Sequence, residues 1–192
     1  MVNPRPHNAR KVVVTFKTET IMSRMNGPKE CFVPIREDAS QVIVSYEKVA
    51  DGKKNAFWHE VYFFKKRTAK PTIEQIKAAV YADINAQTDA KILSGFVWND
   101  MPVYLSDENQ RNFSEAQRIA MIMPDAILPV KFKLGEDAEG NPVYHTFETS
   151  EELTGFYLQA VAFINQTLAE GWDRKDGIDW EPYEQALNTD AE

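Results

Sequence analysis

GFVWNDMPVYLSDENQ, residues 95–110, carries one charge in its first ten positions and then breaks into Ser-Asp-Glu-Asn-Gln. FVW (96–98) and MPVYL (101–105) flank Asn99-Asp100. Asn and Asp both tolerate the left-handed backbone that a two-residue hairpin turn requires, so the stretch predicts a β-hairpin. Pairing across the turn sets Trp98 opposite Met101 and Phe96 opposite Val103, with all four on one face. Pro102 has no N–H to give to a ladder, which predicts an edge strand. Ser106 then reads as a helix N-cap. Asp107 and Glu108 follow in the first turn, where the helix dipole favours negative charge. The hairpin face has two readings. It is either core, packed on helices 73–93 and 150–170, or an exposed aromatic grip for another protein. The first is carried forward, and the second supplies candidate contact residues.

Working back from the hairpin, Thr72 and Gln75 fit a capping box. Ile73, Ile76, Val80 and Ile84 recur at helical spacing, which predicts a helix over 73–93 with Gly95 after it. Working forward, the helix from Ser106 carries Ile119, Ile122 and Met123 at its far end and is stopped by Pro124. LPVKFKLG (128–135) and PVYHTFE (142–148) flank EDAEGN and predict a second hairpin. Thr149 and Glu152 make a second capping box. The stripe Leu153, Phe156, Tyr157, Ala160, Ile164, Leu168 runs to Gly171, which reads as the C-cap. A short final helix fits WDRKDGIDWEPYEQAL. Residues 72–192 therefore predict an α+β domain of helix, hairpin, helix, hairpin, helix.

Residues 1–71 read differently. KVVVTFKT (11–18), QVIVSYEKV (41–49) and AFWHEVYFFKK (56–66) are β-like, and Asp51-Gly52 is a turn signal between the last two. In QVIVSYEKV, Val42, Val44 and Tyr46 alternate with Ile43, Ser45 and Glu47. The stretch holding Gly27-Pro28 and Pro34 reads as irregular. KKRTAKP (65–71) reads as a linker. Residues 1–71 hold 14 Lys+Arg against 7 Asp+Glu, a balance of +7. Residues 72–192 hold 8 against 22, a balance of −14, which agrees with the net −7 of the chain. This asymmetry predicts two modules: a small basic antiparallel β module, 1–71, and an acidic α+β domain, 72–192.

Chemistry-bearing patterns are few. The single cysteine, Cys31, rules out a disulfide within the chain and a cysteine-built zinc site. His7, His59 and His145 are far apart, with no metal-ligand spacing among them. DAEGN (137–141) starts like a calcium loop, but Gly140 is fourth rather than sixth and no Glu stands at the twelfth position. The carboxylates of DRKDGID (173–179) read as a solvated turn. Glycine patterns for phosphate or dinucleotide binding are missing. No run approaches a membrane span of about 20 apolar residues. The expectation is a soluble protein with no catalytic residue, metal or cofactor. In the basic module, Lys53, Lys54, Lys65, Lys66, Arg67 and Lys70 with Phe57, Trp58, Tyr62 and Phe63 allow a nucleic-acid reading. The simpler one is a sheet with lysine-guarded edges. The candidate protein-interaction residues are Trp58, Lys65, Lys66, Arg67, Trp98, Met101 and Tyr104.

Several motifs stand in a fixed order: Ile84-Asn85, Gly95-Phe96, Trp98-Asn99, Ser106 to Gln110, Thr149 and Gly171-Trp172. Over residues 72–180 this order resembles a domain family of tailed bacteriophages that recurs in tail-fibre and tail-fibre-assembly proteins and in prophages. LSDENQ and VYHTFET resemble the versions in gut Bacteroidetes phages. The resemblance implies a non-enzymatic virion protein, a tail or tail-fibre-associated adaptor and homo-oligomer. Its partners would be other tail or fibre proteins, met in the host cytoplasm during assembly. An assembly chaperone is the alternative. The family brings no catalytic residues to carry over.

Overall fold

Residues 95–110 fold as the residue pattern predicts. β4 (Phe96–Trp98) and β5 (Met101–Val103), named in chain order with the elements below, pair antiparallel with Phe96 opposite Val103 and Trp98 opposite Met101. Asn99 and Asp100 take φ of 48° and 61°, the left-handed pair that a tight hairpin turn needs. The computed structural model describes residues 32–37, 40–50, 56–64 and 70–188. It is an α+β chain that divides into two units, Met1–Ile76 with Glu181–Glu192, and Lys77–Trp180. The expected strand at 11–18, the Asp51-Gly52 turn and Lys65, Lys66 and Arg67 lie outside the described residues.

The first unit holds an antiparallel sheet in the order β1 (Ile35–Glu37), β2 (Gln41–Ala50), β3 (Ala56–Phe64). β1 occupies part of the stretch read as irregular, just after Pro34; it pairs Ile35 with Val44 and Glu37 with Val42. The pairing of β2 with β3 slips between Ser45 and Glu47, leaving Tyr46 as an extra residue. The slip breaks the expected alternation, and Val44, Ser45 and Tyr46 are all buried in succession. The sequence reading places the final helix with the acidic module. In the structure, α5 (Glu181–Asn188) groups with this sheet. Its Tyr183 is buried and donates a hydrogen bond to the Ser45 carbonyl at 2.8 Å.

The second unit is built on α1 (Ile73–Ser94), the β4–β5 hairpin, α2 (Asp107–Ile122), the single turn α3 (Pro124–Ile127), β6 (Val130–Glu136), β7 (Pro142–Phe147) and α4 (Ser150–Asp176). The boundary between units falls inside the first turn of α1. All three predicted caps form. Thr72 and Gln75 close a reciprocal box at 2.9 and 3.3 Å, and the Ser106 and Thr149 hydroxyls each accept a backbone N–H at 3.2 Å. β5 lies beside β6, where the Tyr104 N–H donates to the Leu134 carbonyl at 2.7 Å. Gly135 is required at that approach, since a Cβ there would stand 2.5 Å from the Pro102 carbonyl oxygen.

One helix end corrects the sequence reading. α4 does not stop at Gly171 but continues to Asp176, with Gly177 as its C-cap. Gly171 serves packing instead. A Cβ at that position would lie 2.6 Å from the Thr88 hydroxyl on α1, so the absence of a side chain lets the two helices close. Their antiparallel contact is tied by Lys91–Glu170, by Arg174 to Gln87 at 2.8 Å and by Lys175 to Asn85.

Candidate functional site

In the first unit the sheet organises a charged group around Glu60, whose side chain is 2% exposed. Arg36 of β1 forms an ion pair with it, the Tyr62 hydroxyl donates to it at 2.7 Å, and the Ser45 hydroxyl lies at 3.3 Å. A buried carboxylate is tolerated only with such partners. The Arg36 Nε is buried with no hydrogen-bond partner among the described residues, so the pairing is incomplete on the arginine side. The Tyr62 phenol is pushed above its usual range, first by burial and then by its hydrogen bond to Glu60 and that group's charge. Nearby, the Phe32 ring lies 4.6 Å from Trp58 and 6.0 Å from Tyr183. Tyr46 stacks on His59 at 5.6 Å. Chemically this is a largely satisfied cluster that ties three strands and a helix together.

In the second unit the hairpin face is core. Trp98 is 4% exposed and meets His145, Phe147 and Phe156 with ring centroids at 5.0, 5.5 and 5.1 Å. Phe96, Val103, Leu105, Phe113, Leu134, Leu153 and Ala160 complete the cluster. His145 links this core to the start of α4, with its Nε2 2.8 Å from a Glu152 carboxylate oxygen. Glu152 also donates its backbone N–H to the Thr149 cap.

The surface of this unit carries apolar groups in quantity. Met121, Ile122 and Met123, consecutive at the end of α2, are 66%, 66% and 57% exposed. Tyr104 and Tyr144 are exposed, the latter under the Lys131 ammonium at 4.7 Å. Leu158 and Trp172 project from α4. Single exposed apolar residues are ordinary, whereas this run of three large ones is the largest consecutive apolar exposure among the described residues.

Among the candidate interaction residues, burial leaves Trp98 no surface to present, because the aromatic core closes over it. Met101 is half-buried against the same core, and Trp58 is half-buried in the first unit. Tyr104 is 46% exposed. Trp58 belongs to one unit, and Trp98, Met101 and Tyr104 to the other. Reading by motif passes over Met121 and Tyr144. For the first, the available signal is a run of apolar residues up to a helix-stopping proline. Among the described residues, no group of three or more His, Cys, Asp or Glu side chains is placed to hold a metal ion. The DAEGN turn is closed by its own Asp137, which accepts the Glu139 and Asn141 backbone N–H groups at 3.0 and 2.7 Å. No helix among the described residues is long and apolar enough to cross a membrane.

No curated protein and no solved structure matches the chain. Residues 75–192 match the family model described as a domain of unknown function, DUF4376. The match spans more than half of the chain, from the first turn of α1 through both hairpins and α4 to the C-terminus, and the chain belongs to that family.

Proposed function

We propose that this chain is a non-enzymatic structural protein of a tailed bacteriophage, an adaptor associated with the tail or its fibres that works through protein–protein contacts. The observation that carries the contact reading is the exposed run Met121, Ile122, Met123. Three large apolar side chains held in water at a helix end cost solvation that burial against another protein recovers. The resemblance over residues 72–180 supports the phage setting. The charge asymmetry along the chain, +7 over residues 1–71 and −14 over 72–192, supports contacts in which charge sets orientation and apolar anchors supply affinity. In this reading the partners are other tail or fibre proteins and further copies of the chain.

Quantitative mass spectrometry on purified virions tests the proposal. A fixed, integer-like copy number supports it. Replacing Met121, Ile122 and Met123 together by Ser then depletes the protein from virions while leaving it folded. Absence from virions, with abundance in the infected-cell lysate, overturns the structural reading and leaves the assembly chaperone ahead.

A further inference from the structure

Residues 153–169 of α4, LTGFYLQAVAFINQTLA, contain no charge, although their own unit, residues 77–180, holds 8 Lys+Arg against 17 Asp+Glu, a balance of −9. A helix turns about 100° per residue, so this segment divides into distinct faces. One is the core seam of Leu153, Phe156, Ala160, Thr167 and Gly171, all buried. Another follows Leu158, Ala162, Asn165, Ala169 and Trp172, at spacings of four, three, four and three residues. That is the period of a helix-contact seam, and all five positions are exposed. Leu158 is 60% and Trp172 58% exposed, while the alanines between them would let a second helix come close. α2 does not reach this face. It meets α4 beside it, through Gln117 to Thr154 and Ser114 to Tyr157. From Leu158 to Trp172 the seam is about 21 Å long, enough for four turns of an incoming helix.

The ends of the seam say what kind of helix fits. One heptad before Leu158 stands Glu151, and four residues after Trp172 stands Asp176, with Asp173 beside it. All three are exposed. A second copy of this seam, laid antiparallel, would set Glu151 against Asp176. Laid parallel, it would set each acid against its own copy. With Arg174 and Lys175 turned to Gln87 and Asn85 of α1, both arrangements place like charges together. We infer that the exposed seam of α4 docks an amphipathic helix of another protein, with Lys and Arg flanking its apolar stripe. Apolar residues of that helix pack between Leu158 and Trp172, and its cations reach the acids at the two ends. This gives a partner chemistry to the protein-contact reading above and rests on it. The virion experiment tests the setting, whereas the following one tests the seam alone.

The probe is a fluorescein-labelled 18-residue Leu/Lys amphipathic peptide, titrated against the full chain by fluorescence anisotropy, with a Leu/Glu peptide of the same apolar pattern beside it. The expected result is one-to-one binding of the Leu/Lys peptide, at least about tenfold tighter than the Leu/Glu peptide. Leu158→Asp and the pair Asp173→Lys with Asp176→Lys each weaken it at least about tenfold. The pair Asp89→Lys with Glu139→Lys makes the same charge change on α1 and the β6–β7 turn, and leaves the affinity within about twofold. All these positions are exposed, and unchanged circular dichroism confirms the fold of each variant. Loss of affinity in both paired variants alike would reduce the binding to general attraction by an acidic protein and overturn the inference. So would no binding, or self-association of the chain abolished by Leu158→Asp.

Discussion

α4 contains two interior glycines whose surroundings differ, and replacing each by alanine yields opposite signs. Around Gly155 there is nothing within 4 Å of a Cβ, so Gly155→Ala gains only the helix propensity, about 1 kcal/mol. Gly171→Ala gains the same propensity but drives its methyl to 2.6 Å from the Thr88 hydroxyl and 3.2 Å from its methyl. Ordinary contact is about 3.5–4.0 Å, so α1 and α4 must part by several tenths of an ångström or more. Thr88 cannot swing aside freely: it is 7% exposed, and its hydroxyl donates to the Ile84 carbonyl at 2.8 Å. Overpacking of this kind costs about 1–3 kcal/mol, which leaves Gly171→Ala about 1–2 kcal/mol below the parent protein at the upper part of that range. The two variants then differ by about 2–3 kcal/mol, read as midpoints of urea unfolding at unchanged slope. Adding Thr88→Ala removes both atoms that the new methyl meets. The double variant regains about 1–2 kcal/mol relative to the sum of the single ones. If Gly171→Ala stabilised as much as Gly155→Ala, or if Thr88→Ala gave no coupling, the close approach assigned to Gly171 would be wrong.

Trp98→Ala removes a ring from the centre of the aromatic core and is expected to cost about 3–5 kcal/mol. Val97 in the same strand is 59% exposed, and Val97→Ala is expected to stay within about 0.5 kcal/mol; thermal unfolding of the two variants checks the facing of β4. The Tyr62 phenol is raised above its normal value of 10.0, so the folded chain keeps a proton that the unfolded chain loses. Its contribution is complete below about pH 10 and declines as pH rises from there. The stability of the parent relative to Tyr62→Phe, measured by urea unfolding at about pH 9 and about pH 11, should fall between the two; a flat difference would remove the cause assigned to burial and Glu60.

What could be read from the sequence was what neighbouring residues decide among themselves. The Asn99-Asp100 turn fixed the register of its own hairpin. Thr72, Ser106 and Thr149 announced three helix starts, because a cap and the N–H it satisfies lie within three residues. What escaped depends on residues far along the chain. β1 is three residues with two charges; it is a strand because β2 offers it an edge. The bulges at Tyr46 and Leu134 each bury two or more consecutive residues, and strict alternation cannot express that. Gly171 carries the same local signal as a C-cap, and only Thr88, on another helix, tells the two roles apart.

The same reasoning bears on α4. Its sequence reads as one broad apolar stripe, since Phe156 and Tyr157, or Ala160 and Ile164, are equally consistent with a buried face. In the structure all four pack on the core, Tyr157 and Ile164 only partly buried. α2 is 16 residues long against 27 for α4, so it covers only part of the helix. The core needs Leu153, Phe156 and Ala160, and Leu158 and Trp172 remain in solvent. The outer face of a helix commonly carries charge, as the ends of α4 do at Glu151, Asp173 and Asp176, whereas Leu158, Ala162, Asn165 and Ala169 are uncharged. That these positions stay neutral within the acidic portion of the chain is a property the fold does not require. An apolar stripe on an incoming helix would use it, and in the reading proposed above the seam, rather than the hairpin with its buried Trp98, carries the contact.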